Sequence, residues 1–180
     1  EFRRVLFRSD WAYGARGARI IELLEASTSG GARITADRMR VIQMDSNNGL
    51  AEFLVPRLLA SPTPEGTTEA RELLQGWDFQ QGPESAPAAY FNAIWAQMIS
   101  RMFDAAADVE AITASGNDRW WLVIEQLWDD PTNVWWDDKT TTRLEDRDEL
   151  LDTAQREAHQ QLIATLGNDP TAWRWGDLHT

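Results

Sequence analysis

Apolar residues recur at three- and four-residue spacing along most of the chain, and polar punctuation cuts that pattern into separate helical segments. RIIELLEA (residues 19–26) puts Ile20, Leu23 and Leu24 at helical spacing, and Gly30-Gly31 ends the segment. In ITADRMRVIQMD, Thr35 is an N-cap, Asp37 sits where the helix dipole favours an anion, and Ile34 can staple onto Met39. Met39, Val41, Ile42 and Met44 then form the expected apolar face. SNNG (residues 46–49) interrupts, and Leu50, Phe53, Leu54, Leu58 and Leu59 resume the register, with Pro56 marking a kink or a new first turn. SPTPEG (residues 61–66) is the clearest loop.

A short helix is predicted from Thr68 to Gly76, then a polar connection, then a long helix from Ala88 to about Val109. Its stripe runs through Phe91, Ile94, Trp95, Met98, Ile99, Met102 and Phe103. SGND (residues 115–118) caps the next helix, which carries Trp120, Trp121, Val123, Ile124, Leu127 and Trp128. DDPTNVWWDDKTTT is an irregular acidic-aromatic loop, followed by a helix over Arg143–Leu166 with Gly167 after its end and Pro170 as a stop. No sustained strand alternation, internal repeat or heptad array occurs. The fold expected of this chain is all-α, with a core around Phe91, Trp95, Trp121 and Leu151.

Twenty-nine acidic against 17 basic residues give a net charge of −12. Such a surface repels phosphate backbones and excludes nucleic acid as the expected partner. No run of 18 or more apolar residues is present, so no membrane span is expected. The absence of cysteine removes thiolate chemistry and cysteine-ligated zinc, but does not separate one compartment from another. The ten tryptophans either pack the core or line a substrate pocket, and each buried indole needs a partner for its N–H.

The opening EFRRVLFRS departs in composition from the rest, and Glu-Phe is what a common cloning site encodes. Residues 1–9 are therefore read as an adapter-derived, non-native segment, and residues 10–180 as a helical segment cut at both ends. Asp129-Asp130 and Asp137-Asp138 lack the alternating ligands, central Gly and terminal Glu of a calcium loop; Asp130-Pro131 and Asp138-Lys139 read as solvated turn residues, and no metal is expected. His159 reads as a surface residue of a polar helix and His179 as a buried, hydrogen-bonded histidine, with neither HExxH nor GxSxG in the chain.

The run DWAYGARGAR, followed by IIELLEA and ITADRMRVIQMDS, resembles a β-subunit segment of the penicillin acylase (penicillin amidase) family. FLVPRLLA, ELLQGWD, NVWWDDKTTTRLEDRDELL and WRWGDLHT follow in the family's order, so the resemblance covers residues 10–180. It implies that the chain is the helical portion of a larger α/β (αββα) N-terminal-nucleophile hydrolase. In that family a processed precursor exposes an N-terminal Ser that attacks a linear amide, with its own α-amino group as base. The resemblance places that Ser and an oxyanion-hole Asn upstream of Asp10, so residues 10–180 alone are expected to be inactive. It names as partners the remaining α- and β-subunit segments and a small N-acyl substrate (a β-lactam side chain, an acyl-homoserine lactone or a lipopeptide). It implies no cofactor, and a periplasmic or secreted location.

One functional residue carries over. Arg16, in Tyr-Gly-Ala-Arg, matches the family arginine that supports the catalytic constellation; Arg19 is its neighbour and competitor. The alternative for Arg16 is a structural ion pair with Asp45. A rival for the whole chain is a non-catalytic, Trp-rich helical binding module for carbohydrate or peptide, which would line an exposed groove with several tryptophans.

Overall fold

The computed structural model describes residues 14–104, 118–138 and 140–179. The segment 1–9, the WAY of the arginine motif, the end of the long helix predicted to Val109 and the cap at 115–117 lie outside the described residues. Seven α-helices are described: α1 (Ala15–Thr28), α2 (Ala36–Gln43), α3 (Gly49–Ala60), α4 (Thr68–Glu72), α5 (Ala86–Ile99), α6 (Asp118–Leu127) and α7 (Arg147–Leu166). Among the described residues there is no strand; a lone antiparallel bridge joins Asn47 and Gln80. The all-α expectation holds. The chain divides into two units, Glu1–Asp45 and Ser46–Thr180.

In the first unit, α1 and α2 form an antiparallel hairpin. Thr35 caps α2 as its sequence predicts, its hydroxyl accepting from Arg38 N at 3.1 Å. The predicted apolar face of α2, however, is largely in water: Met39, Val41 and Met44 are exposed, and among the unit's described residues Ile42 alone is buried. Two helices cannot enclose more than one stripe each. The stripes that face inward are Ala15, Arg19, Leu23 and Ser27 on α1 and Ile34, Arg38, Ile42 and Asp45 on α2 and its ends, all half-buried except Ile42.

The second unit holds the core. The α5 helix begins with Ser85 as N-cap, its hydroxyl accepting from Ala88 N, and packs most of its length against α7. Tyr90, Phe91, Ile94 and Met98 of α5 are wholly buried with Leu150, Leu151, Ala154, Ala158 and Leu162 of α7. The small side chains at 154 and 158 leave room for the large ones facing them. Of the predicted core centre, Phe91, Trp95 and Leu151 are buried, whereas Trp121 is half-buried and packs at the edge. Beyond Ile99 the helix widens into a π-turn at Ser100–Asp104 that buries Met102 and Phe103.

Pro56 neither breaks nor restarts α3, which runs through it. The ring lies on the exposed face, where the carbonyl it leaves without a donor can turn to water. The last helix starts four residues later than its periodicity predicts, because Asp146 and Glu149 form a reciprocal capping box with Glu149 N donating to Asp146 Oδ1 at 2.9 Å.

Candidate functional site

Arg16 leaves the first turn of α1 exposed, and among the described residues its guanidinium has no ion-pair partner. The ion pair with Asp45 that the sequence allows for Arg16 belongs to Arg19. Nε and Nη2 of Arg19 donate to the two Asp45 oxygens at 3.1 and 3.2 Å, while Nη1 donates to Glu22 at 3.0 Å. Helix phase decides between the two arginines. Arg19 shares the inward stripe with Ala15, Leu23 and Ser27, whereas Arg16 points about 100° away from Ala15. The hydrogen bond to Asp45 holds the Arg19 guanidinium well above its ordinary pKa.

The first turn of α1 has no capping side chain. Its N-cap is Gly14 in the left-handed region (φ 89°), a conformation that an L side chain rarely takes. At the opposite end of the hairpin, Arg38 Nε donates to Ser27 Oγ at 2.7 Å. Among the described residues, these two polar ties bracket the small apolar contact between α1 and α2. They arise from residues 26 and 11 positions apart, so neither shows in a local motif.

Among its described residues the second unit contains a buried and a partly buried polar system that sequence reasoning missed. Arg71 is 4% exposed, and its guanidinium closes the C-terminus of α3 by donating to the carbonyls of Leu58, Ser61 and Pro62. Burial pushes its pKa down. Tyr90 Oη donates to the Gln155 carbonyl at 3.2 Å, and burial raises the phenol far above its usual value. In the other system Arg101, on the π-turn, pairs with Asp138 and Glu157.

Asp138 corrects the expectation of a solvated turn. It is 3% exposed, and Asp137 is buried beside it with Oδ1 accepting from Glu145 N at 3.1 Å. Burial alone would raise the Asp138 carboxyl; hydrogen bonds from Thr140 N (2.9 Å) and Oγ1 (2.6 Å), with the Arg101 charge, outweigh it and hold the group below its ordinary value. Asp130 is exposed as expected, and so is its neighbour Asp129. Among the described residues no three His, Asp or Glu side chains are placed to hold a metal ion.

The histidines divide differently from their sequence reading. His159 is half-buried, its ring 5.8 Å from that of Trp173, and burial lowers its pKa. His179, expected to be buried, is exposed, with its ring edge-on to Trp175 at 4.2 Å.

Tryptophans serve the core. Trp77, Trp95, Trp136 and Trp173 are buried, Trp120, Trp121, Trp128 and Trp175 are half-buried, and among the described residues Trp135 is the exposed one. Indole N–H groups find partners as burial requires: Trp173 donates to Gly167 O at 2.8 Å, Trp136 to Asp130 O at 2.9 Å and Trp77 to Gln80 O at 3.2 Å. The guanidinium groups of Arg57 and Arg147 both lie over Trp128, at 5.6 and 4.8 Å from its ring centre. Among the described residues there is no groove lined by exposed indoles, which is the feature the binding-module reading requires. An open groove of about 450 Å³ beside Ser61 and Pro62 is lined instead by charged residues that pair among themselves, Arg143 with Glu149 at 2.9 Å and Arg156 with Asp152 at 2.8 Å.

Fold and site together define a helical scaffold that presents an exposed arginine on a two-helix hairpin. The chain belongs to the penicillin amidase family, whose model matches residues 2–180. The match therefore runs through most of the opening segment whose composition sets it apart. Among curated proteins the chain is 25% identical over 187 residues to an acyl-homoserine lactone acylase, QuiP, of Pseudomonas fluorescens, which covers 95% of this chain and 23% of that protein. Proteins of the same name from Pseudomonas putida and Pseudomonas aeruginosa are 24% and 25% identical, covering 95% and 96% of this chain and 23% and 22% of theirs. The chain thus spans less than a quarter of the length of these relatives.

Proposed function

We propose that the full-length protein is an amidohydrolase that removes acyl groups from linear N-acyl amides, with acyl-homoserine lactones as the first substrates to try. The reading is supported by the family match along the chain and by relatives named for that activity. β-Lactam side chains and lipopeptide acyl groups are the other substrates of this chemical class. Hydrolysis consumes one water and yields a carboxylic acid and a free amine.

In this reading the nucleophile is an N-terminal Ser whose α-amino group takes its proton, and an Asn side chain completes the oxyanion hole. Both come from chain outside residues 10–180, and the partners of this segment are the remaining α- and β-subunit segments of the processed precursor. Arg16 supports the reacting centre. Its guanidinium is charged at every working pH and presents a rigid fork of donors that favours negative charge developing on the substrate oxygen.

Liquid chromatography of full-length protein incubated with a long-chain acyl-homoserine lactone tests the reading. Stoichiometric fatty acid and homoserine lactone are expected, with none above background from the 180-residue piece. Full-length protein that releases no acid from acyl-homoserine lactones, phenylacetyl amides or acyl peptides would overturn it.

A further inference from the structure

The small core of the hairpin raises the question of what sets the direction in which Arg16 leaves α1. Among the unit's described residues apolar packing contributes little, since Ile42 alone is buried. The N-cap contributes no side-chain hydrogen bond. Of the two polar ties between the helices, Arg38–Ser27 lies at the far end of α1, about three turns from Arg16. The other is the two-pronged Arg19–Asp45 pair, one turn from Arg16 and with side chains only 26% and 15% exposed. A bidentate guanidinium–carboxylate contact fixes a plane as well as a distance, so it resists rotation of the helix about its own axis.

We propose that the Arg19–Asp45 pair is a positioning clamp for Arg16. It locks the azimuth of the first turns of α1 relative to α2, and thereby the direction of the exposed guanidinium three residues earlier. This rests on the supporting role of Arg16 proposed above. Arg19 and Asp45 act through Arg16 and touch no substrate. A lysine at position 19 would keep the charge and lose the two-pronged contact, so charge alone does not replace the clamp. Arg38 and Ser27 tie the same helices at the other end and serve stability without setting the first turns.

The test uses the full-length protein, with kcat and KM for an acyl-homoserine lactone normalised to processed enzyme, beside melting temperature. Arg19→Ala, Arg19→Lys and Asp45→Asn are each expected to lower kcat about tenfold with KM within about twofold. The exchanged pair Arg19→Asp/Asp45→Arg should regain most of the lost kcat. Arg38→Ala should lower the melting temperature at unchanged kcat. If Arg19→Ala fails to process, Arg19→Lys and Asp45→Asn decide by the same criterion. Wild-type kcat in these variants, with activity still lost in Arg16→Ala, would overturn the clamp alone. Wild-type kcat in Arg16→Ala as well would overturn both the clamp and the role of Arg16.

Discussion

The buried guanidinium of Arg71 and the side-chain oxygen of Gln155 meet at 3.4 Å although 84 residues separate them in sequence. Around that contact Arg71 satisfies the last carbonyls of α3 and the loop after it, while Gln155 Nε2 donates back to Leu151 O at 3.2 Å within α7. One side chain thus ties α3, α4 and α7 together through hydrogen bonds that an apolar residue of similar size could not make.

Replacing Arg71 by Met keeps much of the volume and removes the donors. A loss of about 1–3 kcal/mol is expected, because the Ser61 and Pro62 carbonyls lose the guanidinium donor while Leu58 O keeps only its hydrogen bonds from Ser61 N and Oγ. Arg71→Lys should recover only part, since one ammonium cannot reach all three. Chemical denaturation of the full-length protein checks both; a shift below about 0.5 kcal/mol for Arg71→Met would show that water replaces the guanidinium.

Asp138 should make the fold acid-sensitive. Its folded-state pKa is depressed, so its stabilising effect is present above the ordinary carboxylate value near 3.8 and is lost as pH falls below it towards the folded value. Asp138→Asn should therefore melt lower than wild type at pH 7, and the gap should close as pH drops below about 4. A gap independent of pH would mean that shape, not charge, matters at this position.

Gly49 opens α3 with no room for a side chain, since an added Cβ would lie 2.8 Å from Cη2 of Trp121. Gly49→Ala should destabilise by about 1 kcal/mol, overpacking outweighing the gain in helix propensity. The loss should disappear in a Trp121→Leu background, as a double-mutant cycle would report. Additive losses would place the strain elsewhere.

Arg16 is expected to matter for rate, not folding. In full-length enzyme, Arg16→Ala and Arg16→Lys should process normally yet lose on the order of tenfold to a thousandfold in kcat/KM, or about 1.4–4 kcal/mol. Normal activity per processed molecule in Arg16→Ala would end the assignment.

What could be read along the chain was whatever is settled within one helical turn. Thr35, Ser85 and Asn48 accept hydrogen bonds from N–H groups two or three residues ahead, so helix starts follow from the residues at hand. The apolar stripe of α5 is legible for the same reason, as Phe91, Ile94, Trp95 and Met98 repeat at helical spacing and are buried together. The capping box at Asp146 and Glu149 was visible as D-x-x-E ahead of Leu150; the earlier apparent start at Arg143 came from periodicity alone.

Burial and pairing were decided elsewhere, because they depend on neighbours that arrive from distant sequence. Ile42 is covered while Met39, Val41 and Met44 on the same short helix are not, since α1 lies along one side only. Asp138 looks like any turn carboxylate until Arg101, 37 residues away, is brought beside it. Arg16 and Arg19 are three residues apart and chemically identical; the choice of which one pairs with Asp45 is made by the phase of α1 against α2, a through-space relation that no local spacing contains.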